Sequence, residues 1–248
     1  MVEFKIGCCG FPGGMESYFK RFNVAEVQTT FYNLPRVETV RKWRQKAPES
    51  FEFTVKAWQG LTHPPGMPTW RRTRIQVPAD AISRYGMLRP TPEVFEAWER
   101  TRLVCEALKA KICLIQCPAR FQASEENIDN MKKLLTRIER GNLTIAWEPR
   151  GESWEEEQVR RLCSELNLIP CIDPFKISIP PGQRIIYLRL HGRVNGGVRY
   201  RYTYTKQELE ELYINIQTQS PEIAYCLFNN ITMRQDAEKL KQIIKHRA

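Results

Sequence analysis

Short apolar runs alternate along the chain with longer segments in which apolar residues recur at the helical spacing of three to four positions. Eight of these runs have the length and composition of buried β-strands. They cover residues 4–8, 24–30, 51–57, 111–116, 143–148, 168–173, 184–190 and 222–228. Helical periodicity is found in residues 37–46, 92–108, 125–140, 154–166, 206–219 and 232–245. The connection 174–183 contains Pro180, Pro181 and Gly182, and we expect it to lack a full helix.

Repeated alternation of strand and helix predicts a parallel sheet, because each parallel neighbour needs a crossover long enough to hold a helix. Eight such strands close a barrel, and no G-x-G-x-x-G follows the first strand to indicate an open dinucleotide-binding sheet. The length of 248 residues permits one barrel or two small domains. The alternation favours the α/β class and a single (β/α)8 TIM-type barrel over residues 1–248, with long loops after strands three and seven.

Local signals mark several helix ends. Ser124 and Thr205 are predicted N-caps, since their hydroxyl oxygens can accept hydrogen bonds from first-turn amides. Gly141 is predicted to end the helix of residues 125–140 through a left-handed residue.

The composition is that of a soluble protein, with 42% hydrophobic and 27% charged residues. No apolar run is long enough to span a membrane and the first residues have no signal-peptide pattern, so we expect a cytoplasmic protein without a membrane partner. In that compartment the eight cysteines are expected to be buried thiols rather than disulfides. The sequence does not indicate an oligomeric state.

Polar residues follow nearly every predicted strand. In a barrel these strand ends and the loops after them meet at one mouth, where barrel enzymes place their chemistry. The candidate catalytic residues are Glu26, Lys56, Glu148, Asp173 and His191. The candidate substrate-binding residues at these strand ends are Tyr32, His63, Gln116, Arg150, Arg189 and Asn229.

Some of these residues also have a structural explanation. Glu26 lies early in its strand and could form an internal ion pair with Lys56 that fixes packing. Gln116 and Asn229 could satisfy backbone groups of the loops. Glu148, Arg150 and Asp173 are harder to explain in this way, because buried charges need partners or a ligand.

Two loops add basic and aromatic residues to the same face. The loop of residues 58–90 contains Arg71 and four further arginines, and the loop after strand seven contains Arg199 and Tyr200 near Gly196 and Gly197. Guanidinium groups bind phosphates and aromatic rings stack on exposed bases, so this pattern, with a net charge of +10, favours a nucleic-acid partner. The alternative is a solvated, charged lid.

The strand-end residues together resemble one known family. Glu26 with Thr30-Phe31-Tyr32, Thr62-His63, Glu148 with Arg150, Asp173-Pro174, Leu188 to Gly192 and Phe228-Asn229-Asn230 are similar to the domain-of-unknown-function 72, or YecE-like, pattern. The similarity spans almost the whole chain and implies a TIM-type barrel with a shared site at these residues, but no established reaction. Cys8-Cys9 and Phe11 depart from the pattern, which has Thr-Ser and Trp at these places.

The leading functional hypothesis is a nucleic-acid-directed hydrolase, specifically a DNA glycosylase that removes damaged or deaminated pyrimidines from a flipped nucleotide. In this scheme Tyr32 stacks on the base, Gln116 and Asn229 read its edge, and Asp173 or Glu148 orients water. His191 would protonate the departing base. Arg150 and Arg189 would hold phosphates, and Lys56 would supply an abasic-site lyase step through a Schiff base.

Other functions stay open. A metal-dependent phosphodiesterase or endonuclease would use Glu148, Asp173 and His191 as ligands to one divalent ion, whereas the leading hypothesis needs no cofactor. A sugar-phosphate enzyme and a non-catalytic barrel that binds nucleic acid or a phosphorylated metabolite are further alternatives. Salt dependence of binding and sensitivity to a chelator would distinguish these functions.

Overall fold

The structure, a computed structural model, describes residues 2–193 and 200–247. Eight parallel strands follow one another around a closed barrel in chain order. They are β1 (Glu3–Cys9), β2 (Val24–Val27), β3 (Glu52–Lys56), β4 (Ile112–Gln116), β5 (Thr144–Glu148), β6 (Leu168–Ile172), β7 (Ile185–Leu190) and β8 (Ile223–Phe228). The predicted fold class is therefore confirmed, as are the long connections after β3 and β7.

Helices occupy most of the connections in the described part of the chain. They are α1 (Met15–Phe19), α2 (Thr29–Tyr32), α3 (Val37–Lys46), α4 (Pro92–Leu108), α5 (Glu125–Leu135), α6 (Glu156–Glu165), α7 (Lys206–Gln219) and α8 (Met233–Arg247). The connection between β6 and β7 contains no helix, as predicted. None of the helices in the described ranges combines the length and apolar character needed to cross a membrane.

The predicted N-caps are confirmed. The Ser124 side chain accepts a hydrogen bond from the Asn127 amide, and Thr205 forms a reciprocal capping box with Glu208. The prediction for Gly141 is wrong in its role: its φ is +56°, but α5 has already ended, with Thr136 at its C-cap. Glycine there serves a turn before β5 instead of the helix end.

The second predicted strand was too long. β2 ends at Val27, and residues 29–32 form the short helix α2. The Thr30 hydroxyl lies 2.9 Å from the Val27 carbonyl oxygen and 2.7 Å from that of Lys56. The β-branched side chain of Thr30 favours a strand, but Thr30 lies in α2 and its hydroxyl forms a tertiary hydrogen bond to Lys56.

By contact density the chain divides into two compact units. The first comprises Met1–Glu26, Ala47–Glu52 and Ile169–Ala248, and the second comprises Val27–Lys46 and Phe53–Leu168. In the first unit β1 pairs with β2 and β8, and β7 pairs with β6 and β8. In the second, β4 pairs with β3 and β5. The prediction that residues 1–248 form one domain stays a prediction.

Each unit has its own buried aromatic group. In the first, the Tyr18 hydroxyl accepts from the Cys8 amide and donates to the Val24 carbonyl. In the second, Trp58, Trp70 and Tyr85 pack edge to face, so the connection of residues 58–90 is anchored on aromatic side chains of its own. All eight cysteines lie in the described ranges as buried thiols outside any disulfide, as the composition predicted.

Candidate functional site

In the first unit, β7 carries three polar groups on one face. Tyr187, Arg189 and, just after the strand, His191 are spaced by two residues, and side chains two apart in a strand point to the same side. Arg189 Nη2 lies 3.0 Å from Glu26 Oε1. The Tyr187 hydroxyl donates to Glu26 Oε2 at 2.7 Å. Glu26 therefore has both a cationic and a neutral donor at its two oxygens.

This arrangement is buried from solvent. The relative exposure is 0% for Glu26 and 1% for Arg189. An arginine buried to this degree and bound to a carboxylate is held as part of an internal network. Arg189 is therefore assigned here to positioning Glu26, whereas the sequence suggested that it holds phosphates. In the first unit Glu26 is thus bound by both Arg189 and Tyr187.

Cys9 lies beside the same network. Burial raises the pKa of its thiol well above the usual value, the negative charge of Glu26 raises it further, and Arg189 acts in the opposite direction. A thiol in this state stays protonated at neutral pH, and a thiol is a weak nucleophile compared with a thiolate. Cys9 is consequently a packing residue and not a candidate nucleophile.

Asp173 and His191 lie next to each other at the ends of β6 and β7. Asp173 Oδ2 is 3.5 Å from His191 Nδ1 and accepts a hydrogen bond from the His191 amide at 3.4 Å. Asp173 Oδ1 accepts from the Phe175 amide at 3.2 Å. A carboxylate that is itself held by backbone amides and faces one imidazole nitrogen orients the ring for proton transfer at the other nitrogen. We call these two residues the acid–base pair.

The segment that follows β7 is fastened beside this pair. The Tyr204 hydroxyl accepts from the Gly192 amide at 2.7 Å. Tyr200 packs its ring edge against His191 at 5.9 Å between centroids and is 46% exposed, so it remains a candidate for stacking on a ligand. Arg199, Gly196 and Gly197, which the sequence suggested for the same loop, lie outside the described residues.

A buried carboxylate that the sequence analysis missed holds this segment. Asp236 Oδ2 accepts from the Asn230 side chain and the Thr232 hydroxyl, both at 2.7 Å, and from the Tyr204 amide at 3.3 Å. An acidic residue in the first turn of α8 was visible in the sequence, but its contact with the Tyr204 amide joins residues 32 positions apart and could not be read from it. Asn229, a predicted ligand-binding residue, is half-buried, and its amide donates to the Leu190 carbonyl at 2.8 Å.

In the second unit, Lys56 ends β3 in a buried position. Its Nζ lies 3.8 Å from the centre of the Phe31 ring. The backbone carbonyl of Lys56 accepts the Thr30 hydroxyl, so α2 is tied to the end of this strand. An ammonium group over an aromatic face gains a cation–π attraction that grows as water is excluded.

His63 belongs to the same surroundings. Burial, together with the positive charges of Lys56 and Arg150, lowers its pKa to about 3. Its Nδ1 is 2.8 Å from the Thr62 hydroxyl, and its ring packs against Phe31. His63 is therefore neutral at physiological pH and suited to hydrogen bonding, not to donating a proton as an imidazolium.

Gln116 and Glu148 are paired residues at the ends of β4 and β5. Both are buried, and Glu148 Oε1 accepts from Arg150 Nε at 2.7 Å. Lys56, His63, Glu148 and Arg150 together form what we call the cationic cluster of the second unit. The cluster has two basic side chains, one neutral imidazole and one carboxylate that is bound to arginine.

Tyr32 and Arg71 are the remaining candidates of the second unit. The Arg72 guanidinium covers the Tyr32 ring at 3.9 Å and donates to its hydroxyl at 2.8 Å, so Tyr32 is engaged by an arginine. Arg71 is exposed at the end of the 3-10 helix Pro68–Arg72. Another arginine of this connection, Arg84, is bound to Glu93 and supports the start of α4.

Metal ligands are not gathered in either unit. Among residues 2–193 and 200–247, no group of three or more His, Cys, Asp and Glu side chains is arranged to hold a metal ion. The set Glu148, Asp173 and His191, which the sequence suggested for one divalent ion, is thus not found as such a group.

Comparison with known proteins places the chain in a family. The family model described as "Protein of unknown function DUF72" matches residues 12–248. The chain is 24% identical to "UPF0759 protein YunF" of Bacillus subtilis over 93% of this chain and 85% of that protein. It also resembles the crystal structure of a DUF72 family protein (EF0366) from Enterococcus faecalis, with a TM-score of 0.74, 20% identity, and coverage of 99% and 98% of the two chains.

Proteins outside this family share the fold. The structure of SacUVDE gives a TM-score of 0.61 at 6% identity, covering 100% of this chain and 99% of that one. A D-allulose 3-epimerase from Methylomonas sp., solved with D-allulose, gives 0.56 at 11% identity, covering 100% and 97%. Likeness at this level of identity concerns the fold alone. The family model, which covers almost the entire sequence, shows that this chain belongs to the DUF72 family.

Proposed function

We propose that this chain is a hydrolase that cleaves phosphodiester bonds in nucleic acid, with His191 as the acid–base group and Asp173 as the carboxylate that orients it. The observation that carries the proposal is the acid–base pair itself. Asp173 Oδ2 lies 3.5 Å from His191 Nδ1 and is fixed by the backbone amide of the same histidine. Such a pair can transfer a proton to or from a bound substrate.

The proposed reaction is a direct attack of water on phosphorus. Neutral His191 accepts a proton from water at Nε2 while the water oxygen bonds to phosphorus and the bond to the leaving sugar oxygen breaks. The imidazolium that forms is stabilised by the Asp173 carboxylate, and the proton then passes to the leaving oxygen or to solvent. Water is the one co-reactant, and no oxidant is needed.

A nucleic-acid substrate is supported by charge. The chain has 38 basic and 28 acidic residues, and Lys and Arg gain free energy by displacing counterions from phosphates. Within this proposal Tyr200 and Asn229, which belong to the same unit as the acid–base pair, are the residues that we assign to substrate contacts. The roles suggested by the sequence for Gln116, Arg150 and Arg71 stay predictions.

The protein environment of the two acidic residues favours this chemistry over glycosidic cleavage. Glu148 is bound by Arg150, and Asp173 is bound by His191 and the Phe175 amide. A glycosidase needs a carboxylate that faces the sugar carbon as nucleophile or as base for water. Glu148 and Asp173 are engaged by these protein donors instead.

One observation supports a second candidate. Lys56 is a buried amine at the end of β3, and an amine in such a position can form a Schiff base with the aldehyde of an abasic sugar. Under this alternative the protein is a DNA glycosylase with lyase activity toward damaged or deaminated pyrimidines. Trapping with borohydride would then link the protein to the oligonucleotide, and Lys56→Met would abolish the link.

The test is incubation with labelled single- and double-stranded oligonucleotides, intact or with single lesions, in the presence and absence of EDTA. The proposal expects strand cleavage that persists in EDTA and leaves a phosphate at one of the new ends. Release of a free base with an alkali-labile site would favour the glycosylase. Activity that EDTA abolishes and manganese restores would contradict the metal-free mechanism, and no product from any oligonucleotide would contradict the proposed substrate class.

A further inference from the structure

A cavity lies entirely in the second unit, between the start of α3, the segment 72–75 and α4. It has a volume of about 630 Å³. Four arginines line it, together with one tryptophan and one tyrosine: Arg36, Arg72, Arg74, Arg100, Trp43 and Tyr32. We call this cavity the arginine groove. Its volume is in the range of sites that hold a small ligand or one unit of a polymer.

The charges of the groove are not balanced by acidic groups. The lining contains no Asp or Glu. Throughout the described ranges, no carboxylate forms an ion pair with Arg36, Arg72 or Arg74, and Arg100 reaches only Glu96, at 3.9 Å. Like charges placed together repel one another, so binding of an anion removes a repulsion as well as adding an attraction.

The groove is held in shape by hydrogen bonds. Asn33 Oδ1 accepts from the Arg74 amide at 2.7 Å, and Asn33 Nδ2 donates to the Arg72 carbonyl at 3.0 Å. The Arg72 guanidinium is fixed on Tyr32 through its ring and its hydroxyl. The segment that carries two of the arginines is thus fastened to the end of α2, which limits the entropy lost when a ligand binds.

The remaining lining is apolar and aromatic. Trp43 is half-buried, and Leu34, Pro35 and Ile75 complete the wall. A free inorganic anion gains little from such a surface, whereas a nucleotide offers both a phosphate for guanidinium groups and a flat base for an indole ring. A stacked duplex cannot present a base face to Trp43, but a single strand can.

We propose that the arginine groove binds a single-stranded segment of nucleic acid, with its phosphates on the arginines and one base on Trp43. The inference rests on the proposed function for the choice of a nucleic-acid ligand. It deepens that function because Tyr32 of the groove and Phe31 are neighbours on α2, and Phe31 packs on both Lys56 and His63. A strand bound in the groove would therefore lie next to the cationic cluster.

Binding of a fluorescent oligothymidylate, followed by anisotropy over a range of salt concentrations, tests the proposal without any need for turnover. The variant is Arg36→Ala with Arg74→Ala, because no ion pair or side-chain hydrogen bond is present at either guanidinium in the described chain. The matched control is Arg137→Ala with Arg161→Ala, which removes two exposed charges outside the groove. Thermal melting of both proteins checks that they fold.

The groove variant is expected to bind about tenfold or more weakly, and the slope of log affinity against log salt is expected to fall by about 1.4, or about 0.7 for each lost phosphate contact. Trp43→Ala is expected to weaken binding by at least about fivefold through loss of base stacking, while Trp43→Phe retains most of it. An equal loss in the control variant, or no loss in the groove variant, would overturn the proposal.

Two further outcomes distinguish nucleic-acid binding in the groove from simple anion binding and from the proposed hydrolase activity. Displacement of the oligonucleotide by equimolar inorganic phosphate, with Trp43→Ala unaffected, would identify a simple anion site and overturn the assignment to nucleic acid. Binding that depends on the groove but is never followed by cleavage would contradict the proposed hydrolase and leave the groove assignment standing.

Discussion

The Glu26–Arg189 pair is the most completely buried charged contact described in the first unit, and neutralising its acid is the perturbation with the largest expected effect on stability. Arg189 Nη2 lies 3.0 Å from Glu26 Oε1, and the two side chains are 1% and 0% exposed. Glu26→Gln keeps the size and the contact with Tyr187 but leaves a buried guanidinium without this counter-charge. Breaking such a pair from one side costs about 3–5 kcal/mol of unfolding free energy.

That loss corresponds to a fall in melting temperature of about 6–20 °C for a chain of this size. Urea and thermal unfolding followed by circular dichroism measure it. The matched control is Glu222→Gln, since Glu222 forms an exposed pair with Arg184 at 3.4 Å and its loss is expected to cost less than about 1 kcal/mol. Adding Arg189→Met to Glu26→Gln is expected to restore part of the stability, because the buried guanidinium that has lost the Glu26 charge is then removed. Equal melting temperatures for Glu26→Gln and Glu222→Gln would refute this reasoning.

Three other predictions concern His63, Asp236 and Gly7. Because burial lowers the pKa of His63 to about 3, the unfolded chain binds more protons below pH 6.5, and the unfolding free energy is expected to fall between pH 6.5 and 3 by up to about 1.4 kcal/mol per pH unit. His63→Gln should flatten this dependence in urea titrations, and an unchanged slope would count against it. Asp236→Ala removes the acceptor of Asn230, Thr232 and the Tyr204 amide. We expect the unfolding free energy to fall by about 3 kcal/mol and tryptic cleavage after Arg201 to become faster. Proteolysis at the wild-type rate would argue that other contacts hold this segment. Gly7→Ala would place a Cβ 2.1 Å from the Val24 carbonyl oxygen. We expect the unfolding free energy to fall by at least about 3 kcal/mol, measured by thermal melting. A melting temperature within about 2 °C of wild type would show that β1 and β2 can move apart at little cost.

The fold was largely predictable because its signals are local. Alternation of apolar runs with helical periodicity located all eight strands, and the hydroxyls of Ser124 and Thr205 marked the starts of two helices. Errors arose where tertiary contacts decide. Thr30 was included in the predicted strand 24–30, yet its hydroxyl donates to the Lys56 carbonyl and Thr30 lies in α2.

The residues of the candidate site were predictable from the sequence, but the contacts between their side chains were less so. Strand-end position identified Asp173 and His191, because the ends of neighbouring parallel strands lie together. The partner of Glu26 could not be read from the sequence, since it depends on which residues of β7 face it. The arginine groove was also missed: Arg72 and Arg74 were visible as loop arginines, but Arg36 and Arg100 join them only after α3 and α4 have packed.

The acid–base pair is tested most directly by the rate of oligonucleotide cleavage under single-turnover conditions, in EDTA, for the wild type, Asp173→Asn, His191→Asn and the double variant. Each single variant is expected to be slower by about 10²–10⁴-fold, and the double variant by no more than the His191 variant alone, because the two residues act as a unit. Cleavage by Asp173→Asn and His191→Asn at the wild-type rate, with folding intact, would contradict the account.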